Sequence, residues 1–421
     1  MSGLAALILS KWPQLSGIEA GEVILNTARD IGDPGVDPVF GHGLIDVKAA
    51  LSPASPELSN GTVASPAEGA IMVAPAAIGT GGVIQAALGD VTVLDAYGRD
   101  FHGNLGALVA TPGVDRSALE RRLRVQASAG YAAFHTPELS GSAGFARLQA
   151  APGDNEVRTF LTNAQLRWRT GATSLTAAFN SVDSVAAEFM GLAPTGDAVQ
   201  AFSPLARLSL GAEHPLGGGL VGVTALAGRE AWGSARGAVL SWRKAGTSLK
   251  AGLIDERGAL FGTPTGAGAL RFGDGAVTGF LEAAQGVSFG KWRLDGYASL
   301  GATRLKLADD MLLTDAGTML STRFGLTASR LALGGVVRFG LAQPLTVVSG
   351  GGTYTVGSGY DLASRSLVFS QRQVDFSGTV DPLLTFGYER GGQRSSVRFA
   401  LAGTVDAHDV RTLATWRLML D

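Results

Sequence analysis

The sequence of 421 residues contains no cysteine, so disulfide bonds, thiol nucleophiles and cysteine-ligated zinc are excluded. Aromatic residues make up only 7% of the chain and charged residues only 17%. The 34 basic and 36 acidic residues leave a formal net charge of −2, which does not favour nucleic acid or an anionic surface as a partner. Hydrophobic residues reach 46%, which argues against disorder and predicts a folded protein.

The sequence signals for a targeting segment and for a membrane-spanning helix are also weak. The N-terminal apolar run is short, follows no basic residue and precedes no small-residue cleavage site before Pro13, so no signal peptide is predicted. The long uncharged stretch at residues 69–89 approaches the length of a transmembrane helix. Pro75 and the glycines around residue 81 interrupt it, so short strands or linker are favoured over a spanning helix.

The chain divides into three predicted segments, and the first is residues 1–51. The run "LAALIL" at residues 4–9 is apolar on all sides, which is typical of a buried helix. Ser16 and Glu19 have the spacing of a capping box, which predicts a second, amphipathic helix over residues 17–29. A turn-rich stretch follows, and "LIDVKAAL" indicates a strand-to-helix transition in which Leu44, Ile45 and Val47 pack against the first helix.

The second predicted segment, residues 52–155, is a linker rich in glycine, alanine and proline with some strands. It contains four arginines that we interpret mainly as part of a solvated face: Arg116, Arg121, Arg122 and Arg124.

The third segment, residues 156–421, has a period of two. In "KWRLDGYASL" the apolar Trp292, Leu294 and Leu300 alternate with polar residues, and similar patterns recur between turn clusters. We count roughly a dozen such strands. An open sheet of this size would leave long unpaired edges, so an antiparallel barrel or a two-sheet sandwich is expected.

Alternation alone does not say which face is buried. A soluble barrel has its apolar face inside, whereas a membrane barrel has its apolar face towards lipid. The repeated pairing of basic residues with acidic or amide residues, and the 60 glycines, favour a membrane barrel. The low aromatic content and the C-terminal "WRLMLD" favour a soluble barrel or sandwich, and both alternatives stay open.

The first segment resembles the C-terminal end of the subtilisin-like serine protease fold. The resemblance is carried, in order, by "SGLAALILSKWP", "GIEAGEVILNTARDIG" and "FGHGLIDVKAAL". It implies that the catalytic serine, histidine and aspartate would all precede Met1, so no triad residue can be assigned here. The three-part layout also resembles exported bacterial subtilases, including autotransporter-like ones. The expected fold class is therefore mainly β: a barrel of outer-membrane type preceded by a helical remnant of an α/β protease domain.

No catalytic, cofactor-binding or metal-ligating residue is predicted. None of the histidines adjoins a nucleophile motif or a metal-spaced partner; they are His42, His102, His135, His214 and His408. Asp309 and Asp310 are interpreted as a charged loop, with cation binding as the alternative. No cofactor is expected.

The leading functional hypothesis is a C-terminal fragment of an exported subtilisin-like endopeptidase, inactive on its own, with a translocator or anchor domain. Two alternatives stay open: a stand-alone outer-membrane pore or anchor, and a soluble β-module attached to a secreted protease. The expected location is the outer membrane or the exterior of a Gram-negative bacterium. The expected partner of a monomeric chain is outer-membrane lipid, with a polypeptide substrate only for the full-length parent. Because residues 4–9 lack a surrounding parallel sheet, residues 1–51 are expected to be poorly packed.

Overall fold

The computed structural model describes residues 1–79, 81–111, 129–149, 157–180, 198–391, 395–406 and 410–418. The fold is mainly β, as the sequence predicts. The helices in these residues are α1 (Ser2–Lys11), α2 (Gly17–Asn26), α3 (Val47–Leu51), α4 (Gly82–Ala87) and α5 (Ala198–Phe202), with 3₁₀ turns at Ala76–Ile78, Leu105–Leu108 and Gly268–Leu270. None of the described helices is long and apolar enough to cross a membrane.

The strands begin with six short ones in the N-terminal part of the chain. These are β1 (Glu57–Ser59), β2 (Ala64–Pro66), β3 (Ile71–Val73), β4 (Val91–Leu94), β5 (Asp100–Gly103) and β6 (Val109–Ala110). Longer strands follow: β7 (Ala129–His135), β8 (Leu139–Gln149), β9 (Val157–Thr170), β10 (Thr173–Phe179), β11 (Leu208–Leu216), β12 (Gly219–Glu230), β13 (Gly233–Lys244) and β14 (Thr247–Arg257).

The remaining strands belong either to the large sheet or to the connections between its strands. They are β15 (Ala259–Leu260), β16 (Thr263–Pro264), β17 (Gly266–Ala267), β18 (Gly275–Phe289), β19 (Trp292–Leu305), β20 (Leu313–Ala316), β21 (Met319–Ala332), β22 (Gly335–Ser349), β23 (Gly351–Asp361), β24 (Ser366–Asp375), β25 (Leu383–Gly391), β26 (Ser395–Thr404) and β27 (Val410–Leu418).

Fifteen of these strands form one large sheet. Its order is β27-β26-β25-β22-β21-β19-β18-β14-β13-β12-β11-β10-β9-β8-β7, and every neighbouring pair is antiparallel. Because strand direction alternates along an odd number of strands, the end strands β7 and β27 run in the same direction. The sheet has more strands than the predicted dozen and begins at Ala129, ahead of residue 156. The predicted domain boundaries themselves stay a prediction.

The two ends of the large sheet differ in their connections. At one end, the short-turn end, two residues link β9 to β10, β11 to β12, β13 to β14, β18 to β19 and β21 to β22. At the other end, the long-loop end, β14 connects to β18, β19 to β21 and β22 to β25 through 17, 13 and 33 residues that hold the small strands. The long loops with their additional strands therefore all lie at one end of the sheet.

Residues 57–111 pack onto the long-loop end. Asn60 donates from Nδ2 to the carbonyl oxygens of Asp309 and Met311, at 2.7 and 2.8 Å. The strand β3 pairs with β17, and Arg372 donates to the carbonyl oxygens of residues 87 and 90 from β24. The stretch 69–89 thus contains β3, a 3₁₀ turn and α4, in agreement with the sequence-based preference for short elements over a spanning helix.

The helical N-terminal segment agrees closely with its sequence pattern. The capping box at Ser16 and Glu19 is formed, and the hydrogen bond from the Ser16 backbone lowers the pKa of Glu19 below its ordinary value. Leu44 forms an antiparallel bridge with Arg29 ahead of α3. Gly43 has φ +97°, and a Cβ there would lie 2.3 Å from the carbonyl oxygen of Arg29, so glycine is required.

The expectation that residues 1–51 are poorly packed is wrong. Leu4 and Ile8 are buried in a cluster with Trp12, and the ring of Phe101 from β5 lies 5.1 Å from that of Trp12. The hairpin formed by β4 and β5 provides the missing packing partner. The helix is nevertheless buried on one side only, because Leu7 is exposed.

One detail of the predicted packing around α3 is also wrong. Ile45 packs against the buried cluster, whereas Leu44 and Val47 are about half exposed. Leu44 contributes through its backbone bridge to Arg29 rather than through its side chain. The three residues therefore do not form the single apolar face that the sequence suggested.

Candidate functional site: the two faces of the large sheet

The large sheet exposes apolar side chains on one face, which we call the outer face. Leu281 on β18 is 60% exposed and Leu253 on β14 is 58% exposed. The cross-strand register places these residues and their counterparts on the same side of the sheet. Exposed large apolar residues on this face include Leu166, Leu175, Leu210, Val223, Leu240, Leu249, Leu300, Leu320, Leu326, Phe339, Leu384, Phe399 and Leu401.

The opposite face, which we call the inner face, buries polar side chains. Glu282 directly follows Leu281 on β18 and is only 4% exposed, and Ser299 directly precedes Leu300 on β19 and is also buried. Further buried polar residues on this face are Thr278, Asp295, Thr303, Ser321, Arg323, Thr327, Thr385 and Thr404. A protein in water normally has the reverse arrangement, because burial of apolar side chains is what stabilises its core.

A charged row crosses the inner face over four adjacent strands. The register aligns Lys250, Glu282, Ser299 and Arg323 on β14, β18, β19 and β21. Lys250 Nζ lies 3.1 Å from one carboxylate oxygen of Glu282, and Ser299 Oγ donates to the other at 3.0 Å. Arg323 lies 3.8 Å from Glu282 and stacks over the ring of Tyr297. The buried carboxylate is therefore paired and hydrogen-bonded, as burial requires.

A second ionic group lies on the inner face near the other side of the sheet. Glu389 on β25 accepts from Arg398 at 2.6 Å and from Arg338 at 2.9 Å. Asp295 pairs with Arg293 on its own strand at 2.8 Å. Polar groups with compensating charges thus extend along the inner face rather than forming one catalytic cluster.

Tryptophan is concentrated at the short-turn end of the outer face. Trp168, Trp242 and Trp292 lie within three residues of the turns that end or begin β9, β13 and β19, and Trp416 is opposite Val397 near the start of β26. We call these four residues the tryptophan belt. Trp292 continues into a row of aromatic contacts with Phe339, Phe386 and Phe399, with ring centroids 5.3 to 6.4 Å apart.

The residues considered as catalytic candidates are dispersed. His42 and His135 are exposed, and His102 lies 3.4 Å from the exposed Asp90. His214 contacts Thr173 at 3.0 Å on the surface, while His408 lies outside the described residues, as do the four arginines at 116–124. Within the part of the chain that is described, no group of three or more His, Asp or Glu side chains could hold a metal ion.

Asp310 is paired with an arginine side chain. Arg271 donates two hydrogen bonds to its carboxylate, at 2.6 and 3.1 Å, and a third to Asp274. These hydrogen bonds hold the pKa of Asp310 below its ordinary value and raise the pKa of Arg271. Asp309 contributes its backbone carbonyl to Asn60, so this loop joins the sheet to residues 57–111.

No known protein-family model matches the chain. The autotransporter lipoprotein NalP of Neisseria meningitidis serogroup B, from strains MC58 and H44/76, is 48% identical over 56 residues. The match covers 13% of this chain and only about 5% of those relatives' length. The chain is thus partly similar to an autotransporter lipoprotein.

Two porins are among the similar solved structures. A triple mutant of Rhodopseudomonas blastica porin is 12% identical with a TM-score of 0.32, covering 69% of this chain and 88% of its own. An anion-selective porin from Comamonas acidovorans is 11% identical with a TM-score of 0.36, covering 69% and 84%.

Sequence reasoning favoured the membrane arrangement of the two faces, which the structure shows, but it missed how the charges meet. The signal was partly present, because Lys250, Glu282 and Arg323 all fall on polar positions of their alternating segments. The alignment of these positions into one row depends on cross-strand register, which alternation within a single strand does not contain.

Proposed function

We propose that the large sheet is an outer-membrane anchor of a Gram-negative bacterium, closed into a barrel, that carries residues 1–111 at its long-loop end. The observation that carries the proposal is the inversion of the two faces: exposed leucines outside and paired charges inside. Transmembrane barrels have this arrangement because lipid replaces water on the outer face. Closure would cover the two edges of the described sheet, which end at β7 and β27.

The dimensions and ends of the sheet support the same function. Most of its strands run nine to fifteen residues, and β7 and β10 have seven; a spanning tilted strand needs about 9–11. The tryptophan belt occupies the short-turn end, where interfacial aromatics are expected. Outer-membrane barrels have short periplasmic turns and longer extracellular loops, so the long-loop end with residues 57–111 faces the cell exterior.

The parent activity is a finer proposal. We infer that residues 1–51 derive from a subtilisin-like serine endopeptidase domain and that the anchor serves an exported protease of autotransporter type. The capping box, the Gly43 turn and the closing helix α3 support the resemblance in local structure. The short similarity to an autotransporter lipoprotein supports the export mode.

Replacement of Leu281 by arginine tests the anchor. Because Leu281 lies mid-strand on the outer face, Leu281→Arg is expected to cost about 2–4 kcal/mol of stability in a bilayer. Leu333→Arg is the matched control, since Leu333 is 83% exposed in the turn between β21 and β22 and would meet the interface or water. The measurement is the urea midpoint of the chain refolded into lipid vesicles.

In a soluble protein both positions would face water, and both arginines would be nearly neutral. Equal urea midpoints for Leu281→Arg and Leu333→Arg, together with a monodisperse monomer without detergent, would refute the anchor.

A further inference from the structure

Residues 198–206, which belong to the connection between β10 and β11, pack on the inner face of the sheet. They begin with α5, and we call them the inner segment. Although it connects β10 to β11, α5 contacts β18 and β22, which lie several strands away in the sheet. The inner segment thus packs on the inner face of strands that are not its neighbours in the sequence.

The ring of Phe202, which we call the wedge, fixes the inner segment on the sheet. Phe202 is fully buried, and its ring stacks on that of Phe280 with centroids 5.2 Å apart and an interplanar angle of 12°. A Cβ on Gly301 would lie 2.3 Å from Cε1 of Phe202, so only glycine leaves room for the ring on β19. Phe280 and Gly301 are direct cross-strand partners, and together they form the seat of the wedge.

Polar contacts hold the next residues of the inner segment. Ser203 Oγ donates to Glu256 Oε1 at 2.7 Å, and the backbone N–H of Gly262 donates to the same oxygen at 2.9 Å. Glu256 is buried at the end of β14. Leu205 then brings its carbonyl so near β12 that a Cβ on Gly228 would lie 1.6 Å from the oxygen. The inner segment therefore contacts the inner face on five strands.

The wedge lies directly beside the charged row. Phe280 is two residues from Glu282 on β18, and Gly301 is two residues from Ser299 on β19, so the seat and the charged row are consecutive layers of the same face. The seat is apolar and fully packed, whereas the row beyond it is ionic. In a pore, a hydrophobic constriction excludes water and ions by dewetting.

We propose that the inner segment is a lumen plug, which keeps the anchor closed to small ions and opens when Phe202 leaves its seat. This inference rests on the proposed membrane anchor. The polar inner face would conduct hydrated ions if the wedge were absent, since it presents charged groups of both signs in a row. The anchor would then be a barrel with a built-in seal rather than an open pore.

The test is single-channel recording of the refolded full chain in a planar lipid bilayer with potassium chloride. The variant is Phe202→Ala, and the matched control is Phe40→Ala, which removes an exposed ring outside the large sheet. The wild-type chain and Phe40→Ala are expected to stay mostly closed. Phe202→Ala is expected to raise the open fraction on the order of tenfold or more, because loss of a buried ring weakens the closed state.

Ser203→Ala is the second variant, because it keeps the ring and removes only the hydrogen bond to Glu256; a smaller rise in open fraction is expected. Compact heat-modifiable gel mobility and flotation with vesicles verify folding and insertion of each chain. Inserted wild type that conducts as freely as Phe202→Ala, or inserted Phe202→Ala that stays as closed as wild type, would overturn the plug and leave the anchor intact. A wild-type chain that does not float with vesicles would overturn the anchor and the plug together.

Discussion

At the residue scale, Arg99 shows how one side chain can join two segments. It is fully buried, pairs with Asp95 at 2.6 Å and donates to the carbonyl oxygens of Ala50 and Ser52. The guanidinium also lies 4.8 Å from the ring centre of Trp12. A buried arginine is tolerated here because its charge is paired and its N–H groups are hydrogen-bonded. Its partners lie both in the helical segment and in the β4–β5 hairpin, so Arg99 joins the two.

Replacement of Arg99 by leucine should therefore release the helical segment. The Asp95 carboxylate would be left buried without its charge partner, at a cost of about 3–5 kcal/mol. The expected result is a large drop in the urea concentration at which a protease cleaves residues 1–51 from the rest of the chain. Arg29→Leu, at an exposed arginine of the same segment, should leave that concentration nearly unchanged. Equal sensitivity of the two variants would contradict the role given to Arg99.

At the element scale, each long strand presents apolar side chains on the outer face and polar side chains on the inner face. On β19, for example, Leu294 and Leu300 are exposed on the outer face, while Asp295 and Ser299 are buried on the inner face. Glycines on the two faces of such a strand meet different surroundings, because only the inner face is packed by the inner segment. Substitutions of glycines on the two faces of β19 can therefore be compared within one strand.

Gly301→Ala and Gly296→Ala form that comparison. An added Cβ at Gly301 would collide with the Phe202 ring, whereas at Gly296 it would meet the Leu326 side chain at an ordinary 3.5 Å. Overpacking at Gly301 should cost about 1–3 kcal/mol, while Gly296→Ala should be nearly neutral. The measurement is the temperature at which each refolded chain loses its compact gel mobility. A larger loss for Gly296→Ala would show that the inner segment does not occupy the described position.

At the scale of the whole molecule, the connections give the sheet a direction. The turns at the short-turn end are two or three residues long, and the long-loop end carries β20, β23 and β24 together with residues 57–111. Buried Tyr354 of β23 approaches the sulfur of Met72, which shows how closely the loops and the N-terminal part are joined.

The absence of cysteine makes this direction measurable with single substitutions. Ser364→Cys, in the exposed turn between β23 and β24, should react with a membrane-impermeant maleimide on intact Gram-negative cells that export the chain. Leu333→Cys, in the turn between β21 and β22, should react only after the outer membrane is permeabilised, because the proposed orientation places that turn in the periplasm. The reverse labelling pattern would invert the proposed orientation.

Much of the secondary structure could be predicted from local pattern. The alternation in "KWRLDGYASL" corresponds to β19, and Ser16 with Glu19 forms the predicted cap of α2. The predicted end of that helix, residue 29, was three residues too late, because Thr27 already leaves the helical conformation. The packing of residues 1–51 was not predictable, since Trp12 and its partner Phe101 are distant in the sequence and no local pattern links them.

The low aromatic content also misled at the level of composition. The aromatic content of 7% argued against belts of aromatic residues at the membrane interfaces. Four of the six tryptophans nevertheless lie at one end of the outer face. A composition does not record position, whereas register and turn placement do. The same limit applies to the inner segment, because contacts between Phe202 and Gly301 join residues that are about a hundred positions apart.

Long strands with two chemically distinct faces follow from the sequence alone, because side chains alternate across a strand with a period of two. The capped helix and the glycine turn at Gly43 follow from it too, since both depend on neighbouring residues only. The exposure of the apolar face and the meeting of Lys250, Glu282 and Arg323 in one row depend instead on tertiary packing. Burial and cross-strand register arise from the packing of distant strands, and no local pattern specifies them.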